Sequence, residues 1–230
     1  MWVSPLGRAT IQLAVELVGY GIDIAIISET HLKMKHADSC FAIDGYTLLR
    51  RDRQRRRAGG VAFYIRSHLS ATVWTHPGCI DTFELLWLQV RVGQRVAMVG
   101  ALYHPPKPLY HTAALLDYIE SCLDAIAIQF PEAVIILAGD LNMLSEEDTV
   151  ARTCLVSIVN QPTRGPNKLD RIYISEPCYE RIKVVKSAVK SDHKAVIAYS
   201  GHRKVALRKE KHHLHNMRCF FNHRQHEVFQ

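Results

Sequence analysis

Two short apolar runs constrain what this chain can fold into more than any other feature. The first is Asp23-Ile-Ala-Ile-Ile-Ser28 and the second is Val134-Ile-Ile-Leu-Ala138. Both are too short for a typical helix, and neither alternates between apolar and polar residues. They therefore read as strands covered on both faces. A strand of that kind needs a packed layer above it and another below, which excludes a single sheet with one wet face. Each run also leads straight into acidic residues, Ser28-Glu29 after the first and Gly139-Asp140 after the second.

The remaining periodicities fill in a mixed order. Ile11, Val15 and Val18 lie at helical spacing, and residues 110–129 carry the clearest one-sided helical pattern, stopped by Pro131. Further strands are predicted at Val61 to Ile65, Ala71 to Trp74, Phe83 to Val92 and Arg95 to Leu102, the last two joined at Gly93-Gln94 as a hairpin. Shorter ones follow at Leu155 to Val159, Arg171 to Ile174, Ile182 to Ser187 and Ala195 to Tyr199. Strands outnumber helices, which fits two packed sheets with helices outside them. After Ser200 the apolar period ends. The expected organisation is one domain over residues 1–200 and a basic, His-rich, disordered tail over 201–230.

Composition agrees with a folded chain: of 230 residues, 48% are hydrophobic and 22% charged, with a formal net charge of +7. The longest apolar stretch, Ile11 to Ile27, is broken by Glu16, Gly19, Gly21 and Asp23, so neither a membrane span nor a signal peptide is expected. The six cysteines are widely spaced and contain no CxxC pair, the pattern of scattered thiols in a reducing compartment. Basic charge concentrates in two places. Six arginines, Arg50, Arg51, Arg53, Arg55, Arg56 and Arg57, fall within eight residues, and the tail holds seven Lys or Arg against two Glu. Such patches suit a polyanion, and equally a solvated loop or tail. In the tail, Cys219 and His223 have metal-like spacing, but without a paired CxxC the zinc reading is rejected.

Four acidic or polar clusters sit at strand ends: Ser28-Glu29-Thr30, Gly139-Asp-Leu-Asn142, Leu169-Asp170-Arg171 and Ser191-Asp192-His193. Strand ends converge at one rim of a sheet, where catalytic groups are commonly held. Carboxylate oxygens are what a hard cation such as Mg²⁺ needs, and a histidine beside a carboxylate supplies a stabilising positive charge.

Taken in order, these clusters resemble the endonuclease/exonuclease/phosphatase family. Ile27-Ser-Glu29-Thr-His-Leu32, Gly59-Gly-Val-Ala-Phe-Tyr64, Tyr103-His-Pro-Pro106, Gly139-Asp-Leu-Asn142, Leu169-Asp-Arg-Ile172 and Ser191-Asp-His193 carry the likeness across residues 10–200. Within that family the Gly-Gly-Val-Ala block after an Arg-rich loop, the Pro-Pro block and Pro162-Thr-Arg-Gly165 are most similar to endonuclease domains of non-LTR, LINE-type retrotransposons.

The resemblance implies an α/β chain with a four-layer α/β sandwich, two packed mixed β-sheets flanked by helices. It also implies Mg²⁺-dependent phosphodiester hydrolysis, with Mn²⁺ as a substitute. Glu29 is then the principal metal ligand, with Asp192 beside the metal. Asp140 orients or deprotonates the attacking water, and Asn142 holds that water or the phosphate. His193 binds the scissile phosphate oxygen, Asp170 fixes its ring, and Tyr103 contacts the phosphate. DNA is the implied partner, bound in part by the Arg50 to Arg57 run, and the chain would derive from a polyprotein that also carries a reverse transcriptase. Its place of action would be intracellular, in the nucleus.

One departure is expected to matter. The family opens with a strand bearing an Asn of the metal site, lying beside the strand that leads to the Glu. Here no Asn precedes Asn142. The first strand is therefore expected to be absent, leaving sheet edges open and activity weak. A phosphatase or lipid phosphodiesterase of the same fold, and a non-catalytic nucleic-acid-binding remnant, are the alternative readings.

Overall fold

The computed structural model describes residues 5–54, 58–200 and, for the backbone, 217–221. Its elements are α1 (Pro5–Gly19), β1 (Ile24–Ser28), β2 (Tyr46–Arg51), β3 (Val61–Arg66), β4 (Ser70–Trp74), β5 (Glu84–Val92) and β6 (Arg95–Tyr103). There follow α2 (Thr112–Gln129), β7 (Val134–Asp140), α3 (Glu146–Thr153), β8 (Val156–Ser157), β9 (Asp170–Ile174), β10 (Arg181–Lys186), β11 (Lys194–Tyr199) and β12 (Met217–Phe221). One six-stranded sheet has the order β10-β11-β12-β1-β3-β2, and the other β4-β5-β6-β7-β9-β8.

The two apolar runs lie inside these two sheets, and both strands have apolar neighbours on each face. In β1, Ile24 and Ile26 point into the core between the sheets, where they join Phe63, Leu88, Ile136 and Val196. Ala25 and Ile27 point the other way and pack with Leu13 and Leu17 of α1. In β7, Ile136 and Ala138 face the intersheet core, whereas Leu137 packs beneath α2 with Leu115 and Ile119. The result is a four-layer stack of α1, two mixed sheets and the α2–α3 layer. The α1 helix forms where its spacing places it, but the residues that signalled it are on its wet side. Ile11, Val15 and Val18 are exposed, and Leu13 and Leu17 make the buried face. Two other elements, β2 and α3, carry no clear sequence signal. The β2 strand ends in Arg50-Arg51 and α3 begins with three consecutive acids, so polar composition masks both.

The largest difference from expectation concerns the segment after Ser200. Five of its residues, Met217–Phe221, form β12 in the interior of the first sheet. β12 runs parallel to β1, with Ile26 opposite Cys219 and Ser28 opposite Phe221, and antiparallel to β11. The place beside β1 where a strand was expected to be missing is thus taken by a strand from the other end of the sequence. The expected tail is not wholly outside the fold, and β1 has a neighbour on each side, β12 and β3. β12 is paired on both sides, by β1 and β11, and leaving such N–H and C=O groups buried without partners would cost about 1–3 kcal/mol each.

Proline has no N–H to give and is confined to sheet edges. Cys219→Pro should therefore lower the melting temperature by at least about 5 °C, as expected of a loss near 2 kcal/mol in a domain of this size. In native-state hydrogen exchange the amides of Met217–Phe221 should be protected together with those of Ile24–Ser28. Exchange of 217–221 at free-peptide rates would show that this strand is not part of the sheet.

Candidate active site

Strand polarity brings the functional groups to one rim. β1, β6 and β7 end there, and β3, β5, β9 and β11 begin there. In the antiparallel pairing of β7 with β9, Asp140 lies opposite Asp170. Ser28 lies opposite Val61, and Glu84 opposite Tyr103. Among the hydrogen bonds that tie the sheets together at this rim is one from the Asp140 amide to Ser28 Oγ at 3.3 Å. Within its own sheet, Gly139 permits the close approach of β6. A β-carbon on it would sit 1.8 Å from the Leu102 carbonyl oxygen.

Glu29, Tyr103, Asp140 and Asn142 line an open cleft of about 450 Å³, together with Arg53, Lys107 and Arg164. The Tyr103 hydroxyl donates to Glu29 Oε1. Glu29 and Asn142 both have left-handed backbone, with φ of 54° and 45°. Such conformations are uncommon outside glycine and are held here by surrounding bonds. Asn142 is fixed on three sides. Its N–H donates to Asp140 Oδ1 at 3.0 Å, its Nδ2 donates to the His104 carbonyl at 2.9 Å, and its own carbonyl accepts from Arg171 Nη2 at 3.0 Å.

Behind the cleft lies a buried pair. His193 Nδ1 is 3.0 Å from both carboxylate oxygens of Asp170, and Asp170 is fully buried. The hydroxyl of Thr163 accepts the amides of Leu169 and Asp170, each at 3.1 Å, which sets the start of β9. Ligand atoms of Asp140, Asp170 and His193 all lie within 4.8 Å of one another.

These contacts displace the ordinary proton affinities. Burial, and then the charge of Asp170, pushes Asp140 up to about 7, against the pull of His193 and the Asn142 N–H. For His193, burial disfavours the charged ring, but the hydrogen bond and charge of Asp170 outweigh it and raise the value above the usual one. Burial raises Tyr103 strongly, and the neighbouring Glu29 adds to it, so this hydroxyl stays a donor.

All seven residues assigned to catalysis or metal are thus found at this rim, though not all in the surroundings expected. Tyr103 contacts Glu29, and the Asp192 carboxylate accepts from Arg164 at 2.6 Å. The arginine run divides. Arg50 is paired with Asp38 and Asp52 and donates to two backbone carbonyls, while Arg51 reaches Asp81 and the Leu85 carbonyl. Only Arg53 of the described arginines in that run lines the cleft. Arg55, Arg56 and Arg57 lie outside the described residues. The sequence reading gave no role to Arg164 or Arg171, although Pro162-Thr-Arg-Gly165 and Leu169-Asp-Arg-Ile172 contain them. Arg171 is buried, and besides Asn142 it binds the Leu144 carbonyl at 2.6 Å, so it holds the turn after β7.

The cleft presents carboxylate and amide oxygens from Glu29, Asp140 and Asn142, the donor chemistry that a hard divalent cation takes. Among the described residues no helix is long and apolar enough to cross a membrane.

The model of the endonuclease/exonuclease/phosphatase family matches residues 6–193. Among solved structures, the endonuclease domain of TRAS1, a telomere-specific non-LTR retrotransposon, is similar with a TM-score of 0.64 at 17% identity, covering 85% of this chain and 94% of that one. Truncated Caenorhabditis elegans TDP2 is similar with a TM-score of 0.58 at 17% identity, covering 83% and 89%. An AP endonuclease from Archaeoglobus fulgidus follows with 0.55 at 14%, covering 86% and 96%. At these identities the likeness is one of fold. Among curated proteins none matches the sequence.

His104, beside this site, provides a check on its electrostatics. Burial, and then the charge of Arg171, pushes its ring down to about 4. An unfolded His takes up its proton near 6.5. Between these values the unfolded chain binds more protons, so the stability from a neutral His104 is complete above about 6.5 and is lost as pH falls toward 4. The margin in melting temperature between the native chain and His104→Gln should shrink from pH 7 to pH 4.5. A constant margin would mean that the ring is not held neutral.

Proposed function

The chain belongs to the endonuclease/exonuclease/phosphatase family, and we propose that it is a Mg²⁺-dependent endonuclease that nicks DNA, the target-cutting step of a non-LTR retrotransposon. One observation carries this reading. The buried Asp170–His193 pair stands beside Asp140, and Asp140 opens on the cleft that also holds Glu29.

The roles follow from the chemistry of each group. Asp140, with its proton affinity near neutrality, is suited to take a proton from an attacking water. His193, whose proton affinity Asp170 raises, offers an N–H to a phosphate oxygen as negative charge grows there. Asn142 is held rigidly enough to orient either the water or the phosphate. Glu29 would hold Mg²⁺, with Asp192 near it. When bound, the ion would stabilise negative charge on the phosphate and leaving oxygens. Tyr103, through its hydrogen bond, fixes the Glu29 carboxylate. Arg53, Lys107 and Arg164 give the cleft the positive wall that a phosphodiester backbone needs. That wall favours DNA over a neutral-headed lipid substrate. In the sequence Asn222 follows Phe221 as Glu29 follows Ser28, which makes Asn222 the residue to test for the family's metal-site Asn.

Supercoiled plasmid should be nicked with Mg²⁺ and left intact in EDTA. Asp140→Ala and His193→Ala, shown to be folded by circular dichroism, should each lower the rate at least about a hundredfold. Asn222→Ala should raise the Mg²⁺ concentration needed for half-maximal nicking. Nicking by either of the first two variants at the native rate would remove that residue from the mechanism. Hydrolysis of inositol phosphate or sphingomyelin, with no nicking, would reassign the substrate.

A further inference from the structure

Glu84, the partner of Arg53, is used neither by the sequence motifs nor by the roles given above. Glu84 is 7% exposed at the start of β5. Its Oε1 accepts from Arg53 Nε at 2.8 Å and also from Arg53 Nη2. Its Oε2 accepts the backbone N–H of Gly60. Both carboxylate oxygens are therefore committed, one to the guanidinium and the other to the corner that precedes β3.

That corner is shaped around the pair. Gly59 has φ of 92°, and a β-carbon there would lie 2.3 Å from Arg53 Nε and 2.5 Å from Glu84 Oε2. The guanidinium carbon stands 5.5 Å from the centre of the Tyr103 ring, whose hydroxyl binds Glu29. The Arg53 backbone is held as well, since its carbonyl accepts from Lys33 Nζ at 2.8 Å. A long side chain that would otherwise sample many rotamers is thus fixed against the cleft wall.

We propose that Glu84 is a positioning residue, clamping the Arg53 guanidinium at the mouth of the Glu29 cleft as a preformed anchor for a phosphate group of the substrate. This rests on the nuclease reading and names the contact that seats its substrate. Arginine carries five N–H donors in a rigid fork, and one carboxylate oxygen engages only part of them. Arg164 is treated in the same manner on the cleft wall, where Asp192 holds it at 2.6 Å. A charge-assisted bond from an arginine already in place costs little ordering at the moment of binding. The arrangement also separates Arg53 from Arg50 and Arg51, which are consumed in ion pairs elsewhere.

The test is a double-mutant cycle on the full chain. Binding of a fluorescein-labelled DNA duplex is followed by anisotropy in metal-free buffer, where nothing is cut. Arg53→Gln should weaken binding about tenfold, the lower end for a hydrogen bond to a charged group. Glu84→Gln keeps the side-chain volume and an acceptor for Gly60 N–H, and should weaken binding about fivefold. The double variant should bind no worse than about tenfold below native, because the second change removes a support for a group already gone. Binding by Glu84→Gln equal to native, or losses that multiply in the double variant, would overturn the proposal. Melting temperatures of the four chains separate positioning from folding. An affinity loss in Glu84→Gln that tracks a melting loss and disappears on cooling would also overturn it. Plasmid nicking is scored apart. The predicted cycle without any nicking sinks the nuclease reading and keeps the anchor. Nicking with unchanged affinities does the reverse, and a native chain that binds no DNA sinks both.

Discussion

The antiparallel register between β7 and β9 is the constraint on which the rest of the site depends. It sets Asp140 opposite Asp170 at the end of one strand and the beginning of the next. Two buried carboxylates so close cannot both ionise cheaply. Asp170 resolves the conflict by binding the His193 ring, and Asp140 by holding its proton to about neutral pH. A one-residue slip of β9 against β7 would turn Asp170 to the opposite face of the sheet, away from Asp140. Gly139 and Ser28 hold β7 in place, the first by allowing contact with Leu102 and the second by binding the Asp140 amide from the other sheet.

Charge is distributed to serve that arrangement. Its acidic groups are gathered at the rim and would repel a polyanion if left alone. The cations on the cleft wall offset them, and at least two, Arg53 and Arg164, are held by carboxylates of their own. The half-exposed Arg164–Asp192 pair adds little stability, and the buried Glu84 carboxylate is answered by Arg53 and the Gly60 N–H. The consequence of both pairs is geometric, since they fix where positive charge stands relative to Glu29 and Asp140.

Much of this was legible in the sequence, for reasons that differ by residue. The β1 and β7 strands announced themselves because a strand covered on both faces must be almost wholly apolar. Glu29, Asp140, Asp170 and His193 stood out because each adjoins such a strand in a recognisable order. The face of α1 was misplaced because Ile11, Val15 and Val18 are as apolar as Leu13 and Leu17, and periodicity alone does not choose between two apolar stripes. β12 was invisible because its neighbours in sequence are basic and polar, and only pairing with β1 and β11 identifies it as a strand. Glu84 gave no signal, because its meaning lies in a partner 31 positions away.

The proposed nuclease needs a divalent cation in the cleft at Glu29. Crystals soaked in Mn²⁺ test it most directly. One anomalous peak should appear in the cleft, at about 2.0–2.2 Å from a Glu29 carboxylate oxygen, the distance expected for a small hard divalent ion. A peak held by Asp140, Asp170 and His193 with Glu29 uninvolved, or no peak in the cleft at saturating Mn²⁺, would contradict it.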